Sequence, residues 1–147
     1  MTKSIKILVI AIVIIIIFVF IVVYLFDTFR KPEVITDKTE YNLEDVLKVK
    51  IKNNFTKNNI CFSSCHPYYI ERQNDERWQT YPYLDCEYSN LVNKCIDPGQ
   101  IKAFEFTLPS SIDEEIHRLA IPVCIGCGIK QPFQEHKIFY SNEFIIK

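Results

Sequence analysis

Six cysteines carry most of the chemistry this sequence can do. They stand as Cys61-x-x-x-Cys65-His66, Cys86, Cys95 and Cys124-x-x-Cys127. Thiols in such numbers have two common fates. In an oxidising compartment an even count becomes a disulfide framework. In a reducing one, two close pairs can hold zinc in a tetrahedral site. Here that site would draw on Cys61, Cys65, His66, Cys124 and Cys127, as four thiolates or as three with one imidazole. A third fate, thioredoxin-type redox chemistry at Cys124-Ile125-Gly126-Cys127, needs the first thiol at a helix N-terminus, where the dipole stabilises the thiolate. Gly128-Ile129-Lys130-Gln131-Pro132 follows and does not form a helical pattern. The density and even count favour three disulfides, which require no cofactor. Cys86 and Cys95 share one stretch and are the first pair expected. Spacing leaves the pairing of the other four open.

Few other residues offer a site. Ser63 and Ser64 flank the first cysteines, but no nucleophile motif such as G-x-S-x-G and no spaced carboxylate pair is present. The expected role is therefore binding or structural and not enzymatic. Tyr68, Tyr83 and Tyr88 are candidate contact residues, because tyrosine supplies rigid amphipathic area at low entropic cost. A strand tryptophan such as Trp78 is more often core than ligand platform.

These residues must be placed by two kinds of element. The first is Ile7 to Phe26, an unbroken run without a charged residue, Gly or Pro. At about 1.5 Å rise per residue such a run reaches across the roughly 30 Å hydrocarbon core of a bilayer. A secretory h-region is shorter and ends in a small-x-small site; this run ends Val-Tyr-Leu-Phe-Asp-Thr-Phe. It is expected to remain as a single-pass helix over residues 7–26, after a cytoplasmic N-terminus at 1–6 and before a linker at 27–33. Flanking charge is nearly balanced, with Lys3 and Lys6 before the run and Arg30 and Lys31 after it. The cysteines therefore set the orientation, with residues 34–147 outside the cytoplasm at the plasma membrane. Expected partners are the membrane and an envelope or extracellular protein. Residues 1–31 hold four basic residues and one acid, which leaves 13 basic and 17 acidic residues beyond them. A net of -4 without a basic stripe argues against nucleic acid.

The second kind of element is the short strand. Leu47, Val49 and Ile51 alternate with Lys48, Lys50 and Lys52, the period of a half-buried antiparallel strand. Further strands are expected at 34–38, 67–72, 77–81, 103–108, 116–123 and 138–146, with loops at 55–64, 82–99 and 124–136. About seven short strands separated by turn signals give an all-β antiparallel sandwich.

Tyr41-Asn42-x-x-Asp45-Val46-x-x-Val49-x-Ile51-x-Asn53 resembles the opening strands of the bacterial immunoglobulin-like domain family. The later series resembles that family too: Tyr69-x-Glu71, Trp78, Pro98-Gly99-Gln100, His117-Arg118-Leu119 and Tyr140-Ser141-Asn142-Glu143-Phe144. The resemblance implies an immunoglobulin-like sandwich of binding or structural type and no catalytic residues. Some such sandwiches inhibit proteases through an exposed loop. In that strand order the loops bearing the six cysteines would meet at one pole, stapled together.

Overall fold

The computed structural model describes residues 3–81, 86 and 89–147, with side chains in the N-terminal helix described over 8–22. Tyr83 and Tyr88 lie outside the described residues. Residues 1–30 and 31–147 form two compact units.

The first unit is one helix, α1 (Lys3–Phe29). β-branched side chains are poor helix formers in water, yet here the run is helical throughout. From Leu8 to Ile21 every side chain is exposed, so the helix is apolar on all faces and buries none of them within its own unit. Among the described residues, no helix is long and apolar enough to cross a membrane.

The second unit is all β. Its strands are β1 (Glu33–Thr36), β2 (Glu40–Tyr41), β3 (Val46–Lys52), β4 (Ile60–Ser63), β5 (Tyr69–Asn74), β6 (Arg77–Thr80), β7 (Val92–Ile96), β8 (Ile101–Thr107), β9 (Ile116–Ile125), β10 (Lys137–Tyr140) and β11 (Phe144–Ile146). They form two sandwich-like sheets. One has the order β1-β3-β8; the other runs β2-β11-β9-β4-β7, with β5 and β10 also on β9 and β6 beyond β5.

The charged face of β3 stays in solvent, while Leu47, Val49 and Ile51 are buried. They meet Leu119, Ile121 and Val123 of β9 in one core with Ile60, Phe62 and Ile96. β9 is the hub of the second sheet. Its first half is flanked by β5 and β11, and its second half by β4 and β10. The final strand, expected to be continuous over 138–146, is broken at Ser141–Glu143. There Asn142 turns to hydrogen-bond Thr36, accepting from its N–H at 2.9 Å and donating to Oγ1 at 2.7 Å. That break ties the first sheet to the second.

The stretches expected as loops at 55–64 and 82–99 each contain a strand. These are β4 and β7, which pair with each other. Trp78 is half-buried outside the core, with the Arg118 guanidinium 4.1 Å above its ring and 3.9 Å from that of Tyr140. Arg118 also donates to Glu71 at 2.7 Å. This cross-strand stack on the outer face, rather than the core, accounts for the tryptophan.

Candidate functional site

All six cysteines are in disulfides: Cys61–Cys95, Cys65–Cys86 and Cys124–Cys127, with Cα separations of 4.0, 5.6 and 5.8 Å. The pair expected first, Cys86–Cys95, does not form. Cys95 lies on β7 directly opposite Cys61 of β4, and antiparallel strands bring directly opposed side chains to the same face. Cys86 instead bridges back to Cys65.

The bridges also do not join three loops at one pole. Cys61, Cys95 and Cys124 sit inside strands. Cys61 is in register with Cys95 on one side and with Cys124 of β9 on the other. The three form a row across β7-β4-β9. Alternation along each strand sends this row outward, while Ile60, Phe62, Val123 and Ile96 face the core. Cys61 and Cys124 of this outward row are still buried and Cys95 is half-buried, because the 126–136 segment folds over the row. Cys61, Val92 and Cys124 form a second small core there, packed by Cys95, Cys127 and Phe133.

Backbone hydrogen bonds hold that cover in place. Gly126 takes φ +74°, a left-handed conformation open to glycine, and its N–H reaches the Asn59 carbonyl at 3.0 Å. Asn59 Nδ2 donates to the Cys127 carbonyl at 3.1 Å, and Cys61 Sγ lies 3.2 Å from the same oxygen. Val92 N–H reaches the Gln131 carbonyl at 2.8 Å, and Phe133 N–H that of Asn90 at 2.9 Å. His136 closes the group. Its Nδ1 accepts from the Ile125 N–H at 3.1 Å, which places the ring proton on Nε2, 3.9 Å from Cys124 Sγ.

The metal alternative drawn from Cys61, Cys65, His66, Cys124 and Cys127 is regrouped by this arrangement. Cys65 is bonded to Cys86, and His66 stacks on Tyr69 with ring centroids 5.8 Å apart. The residues that converge are Cys124, Cys127 and His136, with ligand atoms all within 4.8 Å of one another. Both sulfurs are engaged in a disulfide, so ligation there requires its reduction. Sequence reasoning missed His136; its position 12 residues after Cys124 gives no local signal.

The inner side of the β4–β7 pair carries the second feature, a cleft of about 230 Å³ between the sheets. Val49, Ile51, Phe62, Phe104, Phe106 and Ile121 make its apolar lining. Ser64, Asn93, Lys94 and Glu105 are exposed at its mouth. Tyr68 is half-buried here, stacked on Phe106 at 4.3 Å between centroids. It lines this cleft and does not stand on an exposed tyrosine surface.

No protein-family model and no curated protein matches the chain. Among solved structures, the sporulation control protein Spo0M from Bacillus subtilis aligns at 16% identity with a TM-score of 0.35. The alignment covers 80% of this chain and 49% of that one, so the chain spans about half of that protein's length. A likeness of this depth says nothing about what the site does.

Proposed function

We propose that the chain is a single-pass, membrane-anchored protein whose domain over 34–147 is an immunoglobulin-like binding module outside the cytoplasm. It takes an apolar group of an envelope or extracellular protein into the cleft beside β4 and β7. The cleft carries this reading: an apolar lining with a few polar groups at its mouth is the usual form of a binding site. The strand order supports the immunoglobulin-like assignment. β1-β3-β8 facing β6-β5-β9-β10 corresponds to strands A-B-E against C′-C-F-G. Three disulfides support an oxidising compartment. The anchor rests on the uncharged run Ile7 to Phe26 and on the all-round exposure of its described side chains.

Disulfides on the back of the β4–β7 pair fix one wall of the cleft before a ligand arrives, which lowers the ordering cost of binding. Toluene tests the cleft as an apolar probe. Titrated into the full chain, it is expected to shift the methyl resonances of Val49, Ile51 and Ile121. Val49→Phe fills the same space; it is expected to abolish the shifts of Ile51 and Ile121 and to raise stability by about 1 kcal/mol, as cavity filling commonly does. Unmoved methyls in the unsubstituted chain would overturn the assignment.

A further inference from the structure

We propose that Cys127, Cys124, Cys61 and Cys95 form a thiol–disulfide relay, which accepts a small external thiol at Cys127 and passes the exchange across β9 and β4 to Cys95. The relay needs neither the cleft ligand nor the anchor.

Its basis is the register. Cys61 is directly opposite two cysteines, one on each neighbouring strand. Directly opposed residues of antiparallel strands have Cα atoms about 4.5–5.5 Å apart, within the span a disulfide needs. Cys61 is already bridged to Cys95, 4.0 Å away between Cα atoms, and the register gives Cys124 the directly opposed position on its other side. The row also sets Cys124, Cys61 and Cys95 in line. Displacement at sulfur requires that order of attacking, central and leaving atoms.

Access and polarity give the relay a direction. Cys127 is half-buried and Cys124 is fully buried, so an external thiolate reaches Cys127. His136 is exposed, and its Nε2–H points to Cys124 Sγ. That donor stabilises negative charge on Cys124 and makes it the leaving sulfur.

The steps then balance. The external thiolate attacks Cys127 Sγ. A mixed disulfide forms at Cys127, the Cys124–Cys127 bond breaks, and Cys124 leaves as a thiolate. Cys124 attacks Cys61 Sγ. The Cys61–Cys124 bond forms, the Cys61–Cys95 bond breaks, and Cys95 leaves as a thiolate and takes a proton from water. The external thiol's proton has in effect moved to Cys95. The number of disulfide bonds is unchanged, and no oxidant or reductant is consumed. Cys65–Cys86 takes no part.

Reduced glutathione is the probe. The full chain, held in mild detergent, is exposed to it, quenched with N-ethylmaleimide, digested unreduced and mapped. The expected product carries a Cys61–Cys124 bridge, glutathione on Cys127 and an alkylated Cys95, with Cys65–Cys86 intact. In Cys127→Ser, with no thiol added, the single free thiol is expected to be shared between Cys124 and Cys95. His136→Ala is expected to slow the glutathione step about tenfold, through loss of one hydrogen bond to the leaving sulfur. A chain that takes glutathione at Cys127 while keeping Cys61–Cys95, with the free thiol only at Cys124, would overturn the relay. So would a Cys61–Cys124 bridge that appears only in denaturant. The glutathione map of the unsubstituted chain separates these outcomes even if Cys127→Ser fails to fold.

Discussion

His117 is buried to 0% exposure, the most enclosed titratable side chain among the described residues. Its Nδ1 lies 2.8 Å from the Glu115 carbonyl, and its ring stacks between those of Tyr81 and Phe144. Its Nε2 is 3.3 Å from the Tyr81 hydroxyl, which donates to Asp113; Asp113 is in turn paired with Arg72. Burial is the main effect on the imidazole and holds it below its ordinary value of 6.5. The unfolded chain therefore takes up a proton at a pH where the folded chain does not. Stability is complete above about pH 6.5 and is lost as pH falls from there through the depressed folded value. Urea midpoints measured from about pH 7.5 down to about pH 5 are expected to fall over that window. His117→Phe is expected to flatten the fall, and an unchanged slope in that variant would assign the acid sensitivity to another group. Tyr41 shows the same physics at the opposite end of the scale. Burial, together with donation of its proton to Asp37 at 2.7 Å, pushes its hydroxyl up to about 12.

At the level of elements, the β5–β6 hairpin turns through Asp75 and Glu76 with φ of +43° and +69°. Two positive φ values mark the tight turn that Asn-Gly fits best, and Glu76 has no glycine-like freedom there. Asp75→Asn with Glu76→Gly is expected to stabilise the chain by about 1 kcal/mol, read as a higher urea midpoint at unchanged m. This hairpin was legible in the sequence, because a polar turn joins two runs of strand formers. β3 was legible too, since its lysines alternate with Leu47, Val49 and Ile51. β4 and β7 were not. Ile60-Cys61-Phe62-Ser63 is buried on both faces, so it shows no period of two and reads as loop. The outer burial comes from the 126–136 cover, which lies far along the chain; the Cys61 to Cys127 contact spans 66 residues. The disulfide pairing failed for the same reason. Cys61 and Cys95 meet only because an unrecognised strand pair aligns them, whereas Cys86 and Cys95 are merely near in sequence.

Across the whole domain, one strand pair joins the two features that matter. Cys61 and Cys95 lock β4 to β7 on the outer face, while Phe62 and Lys94 of the same strands line the cleft on the inner face. The relay would move that lock from β7 to β9, freeing the strand that carries Asn93 and Lys94 at the cleft mouth. The proposed relay and the proposed placement outside the cytoplasm both depend on which cysteines are bonded in the cell. The most direct measurement alkylates the protein with N-ethylmaleimide in its own cells, before lysis, and maps the unreduced peptides of the full chain. The expected map holds Cys61–Cys95, Cys65–Cys86 and Cys124–Cys127, with no alkylated cysteine. A Cys86–Cys95 bridge, or alkylation of Cys61, Cys95, Cys124 and Cys127 in the untreated cell, would contradict it.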